Sequence, residues 1–268
     1  MFQTLRNHWR EYLIEAWGLG FFMLLVGVYA VAIDSDLSPI PELLPAAIAR
    51  RALFGLLVCF TVIGIVCSPW GKRSGAHINP AFTLALFGIG KMKAIDAIAY
   101  VVAQFIGGTI GVMLAAIVLG RSFTEPPINY VVTLPGGWGQ LAAFLTEFGM
   151  SFALMGMVLI FMNIQRLASL TPFFLGPLVG LYITFLAPLS GMSINPARTV
   201  ASALPAGIWT DIWLYLVAPT TGMLLAAWVY CRITKRHPLR LNVKFFPHVP
   251  TPCIHCIYSR SRHWRSKH

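Results

Sequence analysis

Charge is what this chain has least of. Only 11% of its 268 residues are Asp, Glu, Lys or Arg, and just 9 are acidic, against roughly a quarter charged in ordinary soluble domains. With 57% hydrophobic residues and a mean hydropathy of +0.72, a water-soluble globular fold is excluded. Cysteine is scarce too. Cys59, Cys67 and Cys231 lie in or at the ends of apolar runs and Cys253 and Cys256 near the C-terminus, so they make no disulfide framework. The constellations of an enzyme are also missing: the carboxylates stand apart, no Ser/His/Asp set converges and there is no phosphate loop. No catalytic residue, metal or cofactor is assigned. The first apolar run begins near Glu15 and has no small-residue cleavage site, which makes it a helix rather than a removable leader.

What is present is long apolar sequence. Runs at 12–33, 46–67, 97–119, 141–161, 173–189 and 212–231 each come near the ~20 residues that a helix needs to cross ~30 Å of hydrocarbon. The expected fold is an all-α membrane protein with six transmembrane helices. A net charge of +11 could point to nucleic acid, but its distribution points elsewhere. When the loops are assigned alternately to two sides, Arg6, Arg10, Lys72, Arg73, Lys91, Lys93, Arg166 and the cluster from Arg232 to Lys267 fall on the side of the termini. Only Arg50, Arg51, Arg121 and Arg198 of the 20 basic residues fall on the other. By the positive-inside rule both termini are expected in the cytoplasm, with the lipid bilayer and not nucleic acid as the partner.

The sequence SGAHINPA at Ser74–Ala81 returns as SGMSINPA at Ser190–Ala197. Each copy follows two apolar runs, the first carrying a carboxylate, Glu15 or Glu147, and precedes a third. The chain is therefore an internal repeat, about 9–120 and 138–232. Three spans per half is an odd number, so the second copy enters the membrane from the opposite side and the repeat is inverted. The short stretches after each Asn-Pro, 81–87 and 197–204, reach only about half of the hydrocarbon depth at ~1.5 Å per residue. They read as re-entrant half-helices, with Asn79 and Asn195 as N-caps and Pro80 and Pro196 at the first helical position. Their N-termini would meet near the midplane, where two partial positive charges repel cations. The non-helical residues ahead of them, Gly75, Ala76 and His77 and then Gly191, Met192 and Ser193, would offer a ladder of backbone carbonyls to a wet cavity.

These doubled N-P-A boxes, Arg198 directly after the second, and the paired Glu15 and Glu147 resemble the aquaporin, or major intrinsic protein, family over about residues 9–232. The resemblance implies a passive channel for water and small neutral solutes that excludes protons and ions, assembled as a homotetramer in the cell membrane. It implies that Asn79 and Asn195 are central pore donors, each capping through its oxygen with its NH₂ left free for the channel. Arg198, Ile183 and Met192 become the outer constriction, more apolar than in water-specific members, with the second-span position open between Phe54 and Cys59. Glu15 and Glu147 would anchor the re-entrant loops through backbone N–H groups, and His77 would be pore-adjacent. Gly107, Gly108, Gly111, Gly176, Gly180 and Gly222 would be helix contacts. A glycerol facilitator, a secondary transporter with re-entrant helices and a scaffold with a closed pore are the alternatives. Residues 233–268, polar, basic and containing Pro, read as a flexible cytoplasmic tail outside the channel. Cys253-Ile-His-Cys256 within it is a weak metal signal because it has no second ligand pair.

Overall fold

The computed structural model describes residues 2–234 and 241–246. In chain order the helices are α1 (Phe2–Asp34), α2 (Ile40–Leu43), α3 (Ala47–Cys67), α4 (Pro69–Ser74), α5 (Pro80–Gly88), α6 (Ala94–Leu119), α7 (Arg121–Thr124), α8 (Gly139–Met162), α9 (Thr171–Ser190), α10 (Pro196–Ala206) and α11 (Ile212–Thr234). Among the described residues, α1, α3, α6, α8, α9 and α11 supply six spans long and apolar enough to cross a bilayer. These are the six expected runs, with α3, α6, α8 and α9 matching the sequence boundaries to within three residues. Helix α1 is longer than its apolar run by almost three turns. Its first turns carry too much charge to read as a span, but tertiary pairs hold them. His8 Nδ1 lies 2.8 Å from Asp96 Oδ1, the Tyr12 hydroxyl donates to the same oxygen at 2.7 Å, and Arg73 Nε donates to Glu11 Oε1 at 2.9 Å.

The pairing of spans follows the repeat. Helix α1 packs along α6 in the first half and α8 along α11 in the second, while α3 against α9 joins the halves. Small residues set these distances, as expected for helices in lipid. A Cβ on Gly107 would lie 2.0 Å from the Ala16 carbonyl oxygen, and one on Gly111 2.1 Å from that of Gly20. Gly55 and Gly180 face each other across the α3–α9 seam in the same way.

Between the second span and the first Asn-Pro box, Ser68–Arg73 is mostly the helix α4, begun by Ser68 Oγ accepting from Gly71 N at 2.9 Å. One expectation changes. The tail, read as flexible and outside the channel, packs against the channel's core at residues 241–246. There Leu241, Val243 and Phe245 are 4%, 7% and 5% exposed and belong to the main apolar core. A short apolar alternation inside a basic stretch is masked by the overall composition. Cys253 and Cys256 lie outside the described residues.

Candidate functional site

Helices α5 and α10 are the two re-entrant pieces. Their 9 and 11 residues give ~13 and ~16 Å of helix, each about half of the hydrocarbon thickness. Asn79 Oδ1 accepts from Ala81 N at 2.9 Å, and Asn195 Oδ1 from Ala197 N at 3.1 Å and Arg198 N at 3.3 Å. Both asparagines are therefore N-caps, as their place before Pro80 and Pro196 requires. Their amide groups, however, are not left wholly free. Asn79 Nδ2 donates to the Ile194 carbonyl and Asn195 Nδ2 to the Ile78 carbonyl, both at 2.8 Å. The two loops are thus cross-locked at the point where the half-helices meet, and one N–H of each NH₂ is left for the cavity. Sequence spacing gives the cap but not the partner, because the partner comes from the other half.

The loops before the half-helices carry strain in a repeat-related pattern. Ala76 and Ile78 have φ of 47° and 40°, Met192 and Ile194 of 52° and 48°. For β-branched isoleucine this region is a genuine outlier, and each such residue costs ~1–3 kcal/mol unless its surroundings hold it. Two buried carboxylates do so. Glu15 accepts His77 N at 3.0 Å on Oε1 and Ile78 N at 2.6 Å on Oε2, while Glu147 accepts Ser193 N at 2.8 Å and Ile194 N at 2.6 Å. Gln104 Nε2 adds a bond to Glu15 Oε2 at 2.8 Å, and Ser190 Oγ one to Glu147 Oε1 at 2.8 Å. The loop entrances are pinned in the same way twice over: Tyr100 donates to the Ser74 carbonyl and Tyr215 to the Ser190 carbonyl, each at 2.7 Å.

Between these loops and the spans runs one cavity of about 270 Å³. Phe54, Val58, Val62 and Val66 form one stripe of α3 along it, facing Leu175, Val179 and Ile183 of α9, with Ala76 to Asn79 and Gly191 to Asn195 on the remaining wall. Arg198, Ile183 and Met192 all line it, as does Phe54 of α3, which packs against the cluster that holds Ile183 and Met192. Cys59, the other sequence candidate, does not line it; its Cβ is turned into the α3–α9 seam, 3.5 Å from where a Cβ on Gly180 would lie. Gly75 is not on the wall; with φ of 92° it is the left-handed cap that ends α4. Ile78 and Ile194 take places on the wall that the sequence did not assign.

Arg198 is 9% exposed, and its Nη1 finds no acceptor among the described residues. An unmatched buried guanidinium N–H is costly to keep, and Arg198 keeps it beside the cavity that its residue lines. His77 is buried on the wall, with Nδ1 3.0 Å from Thr83 Oγ1 and its ring against Phe82 and Tyr100. The sequence missed Asp34 and Arg51 at the mouth of the cavity farther from the termini. Arg51 Nε donates to the Thr184 carbonyl at 3.1 Å, and Asp34 pairs with Arg50 Nε at 2.7 Å. The Arg50-Arg51 pair had registered only as topology, and its partners lie on other elements.

The sequence profile of the Major intrinsic protein family matches residues 2–230. The chain is 31% identical over 214 residues to Aquaporin NIP1-1 of Arabidopsis thaliana, covering 78% of this chain and 69% of that one. It is 34% identical over 192 residues to the probable aquaporin AqpM of Archaeoglobus fulgidus, covering 68% and 76%. In fold it is similar to the aquaglyceroporin from Plasmodium falciparum, with a TM-score of 0.67 at 22% identity over 85% of this chain and 97% of that one. Six spans, two half-helices meeting at paired Asn-Pro caps and a cavity between them agree with that profile, and the chain belongs to the major intrinsic protein family of membrane channels, not to the enzymes.

Proposed function

We propose that the chain conducts water, and with it small neutral solutes, passively across the cell membrane while excluding protons and ions. The observation that carries this reading is the cross-locked pair Asn79 and Asn195 on the wall of one continuous cavity. Each cap oxygen is occupied and each NH₂ keeps one hydrogen for the lumen, so a water at the centre accepts from the protein and turns its own donors outward. That orientation breaks a proton relay, and the two half-helix N-termini, each worth about +0.5 charge, oppose a cation. With the N–H groups of residues 77, 78, 193 and 194 taken by Glu15 and Glu147, the carbonyls of Ala76, His77, Met192 and Ser193 serve as acceptors for the moving file.

Phe54, Ile183, Met192 and Arg198 form the constriction in this reading. Three apolar side chains and one guanidinium favour small neutral molecules that can accept a hydrogen bond. The face bearing the termini is cytoplasmic by its excess of Lys and Arg, and the assembly is a homotetramer. A secondary transporter needs ionisable groups that load and release at the midplane; here both intramembrane carboxylates are saturated with donors from their own loops. Light scattering of proteoliposomes after an osmotic jump, first with an impermeant osmolyte and then with glycerol, tests the function. Water flux at the level of protein-free vesicles, in the full chain and in a chain ending at residue 240 alike, would overturn it, and dependence of flux on a proton gradient would favour the transporter.

A further inference from the structure

The cavity is lined at its terminus-bearing end by Phe245, a residue that lies beyond the last span. We propose that this mouth is a binding site for an extended apolar peptide, that residues 241–246 of the chain's own tail occupy it, and that they close the channel when they do. The proposal rests on the channel reading above.

The segment is Leu-Asn-Val-Lys-Phe-Phe. In an extended chain alternate side chains share a face, and Leu241, Val243 and Phe245 are the ones buried, in the same cluster as Val62, Val66, Ala76 and Phe82 of the cavity wall. Between them Asn242 makes the anchor. Its backbone N donates to Asn163 Oδ1 at 2.9 Å, its carbonyl accepts from Asn163 Nδ2 at 3.2 Å, and its own Nδ2 donates to the Met162 carbonyl at 2.8 Å. This pairing imitates a strand ladder at the end of α8, so both backbone groups of Asn242 are met although it joins no sheet.

Two lysines hold the segment from other sides. Lys91, in the link from α5 to α6, donates from Nζ to the Leu241 carbonyl, and Lys72 of α4 sets Nζ 4.5 Å from the centre of the Phe246 ring. Contacts from α4, the α5–α6 link and the end of α8 mean that the segment spans the mouth rather than lying beside it. A tail that only packed on the surface would not place an aromatic ring on the cavity wall.

The test uses the full chain in proteoliposomes beside a truncation lacking 241–268, with Phe245→Ala and Asn163→Ala in the full chain. Permeability is normalised to channel content. The truncation is expected to raise unit water permeability about tenfold, the change that 1.4 kcal/mol of lost docking gives, and both point variants to raise it in the same direction. A synthetic peptide spanning residues 239–248 is expected to restore closure to the truncated channel. With the five native cysteines replaced by serine, the near-isosteric Val243→Cys, at a buried position of the segment, is expected to resist a membrane-impermeant maleimide in the full chain and to become reactive once Asn163→Ala is added. Equal and non-zero permeability in full chain, truncation and Phe245→Ala would overturn the plug and leave the channel standing; ready labelling of Val243→Cys in the full chain would do the same. No water flux in the truncation, with the protein folded by size exclusion, would overturn the channel reading and the plug with it.

Discussion

Glu147→Gln separates an anchoring carboxylate from a proton-carrying one. The wild-type side chain accepts Ser193 N and Ser190 Oγ on one oxygen and Ile194 N on the other, so both oxygens serve only as acceptors. Glutamine keeps the shape but turns one acceptor into a donor, which must then face the Ile194 amide or the Ser190–Ser193 pair. At least one buried N–H loses its partner, at ~1–3 kcal/mol. The bonds that remain lose their charge assistance, which makes them roughly half as strong. Met192 and Ile194, at φ of 52° and 48°, lose part of what holds them, and such strain is worth ~1–3 kcal/mol per residue. The sum is about 3–5 kcal/mol, which for a chain of this size corresponds to a fall in Tm of roughly 10 °C. Thermal unfolding in detergent, followed by the monodispersity of the heated protein, measures it, and water flux per folded channel should fall because the wall of the cavity is displaced. A Tm within ~2 °C of the parent would refute the anchoring argument, and would do so decisively if uptake in the parent were driven by a proton gradient that the variant no longer used.

Arg198→Val should raise glycerol or urea flux and admit a small cation leak by widening the mouth and removing its charge, whereas Met192→Trp should reduce solute flux more than water flux. Parent-like values for both in sealed vesicles would mean that residues 183, 192 and 198 do not form the constriction. Mercurials should leave flux unchanged, because no cysteine lines the cavity among the described residues and Cys59 is in the α3–α9 seam; inhibition that survives Cys59→Ser with Cys67→Ser would contradict this. Burial pushes the Lys91 amine down from 10.5 to about 8, so the covered state binds fewer protons than the open one between about pH 8 and 10.5. Affinity of the 239–248 peptide for the truncated channel should therefore rise with pH across that window, and an affinity that fell between pH 7.5 and 9.5 would show that the segment does not cover Lys91.

Much of this protein follows from chain-local physics. Six runs of about twenty apolar residues can only be spans, because no other use of such sequence leaves the backbone satisfied in lipid. An Asn-Pro favours a helix start, the short apolar stretch after it limits that helix to half the bilayer, and two copies in an inverted repeat enter from opposite faces. Those facts carried the fold, the inverted repeat and the caps. The pairing of Glu15 and Glu147 with their loops came instead from family resemblance, since nothing local joins residue 15 to residue 78. What the tertiary structure alone decided were relations between distant segments. It put Phe54 and not Cys59 on the cavity wall, because a choice between positions five residues apart on one helix depends on how α3 is rotated against α9. It tied each asparagine amide to the opposite loop, 115 or 117 positions away. It also brought 241–246 back to the mouth of the cavity, since Leu241, Val243 and Phe245 are too few to announce a buried segment until Asn163, Lys91 and the open end of the cavity are placed around them.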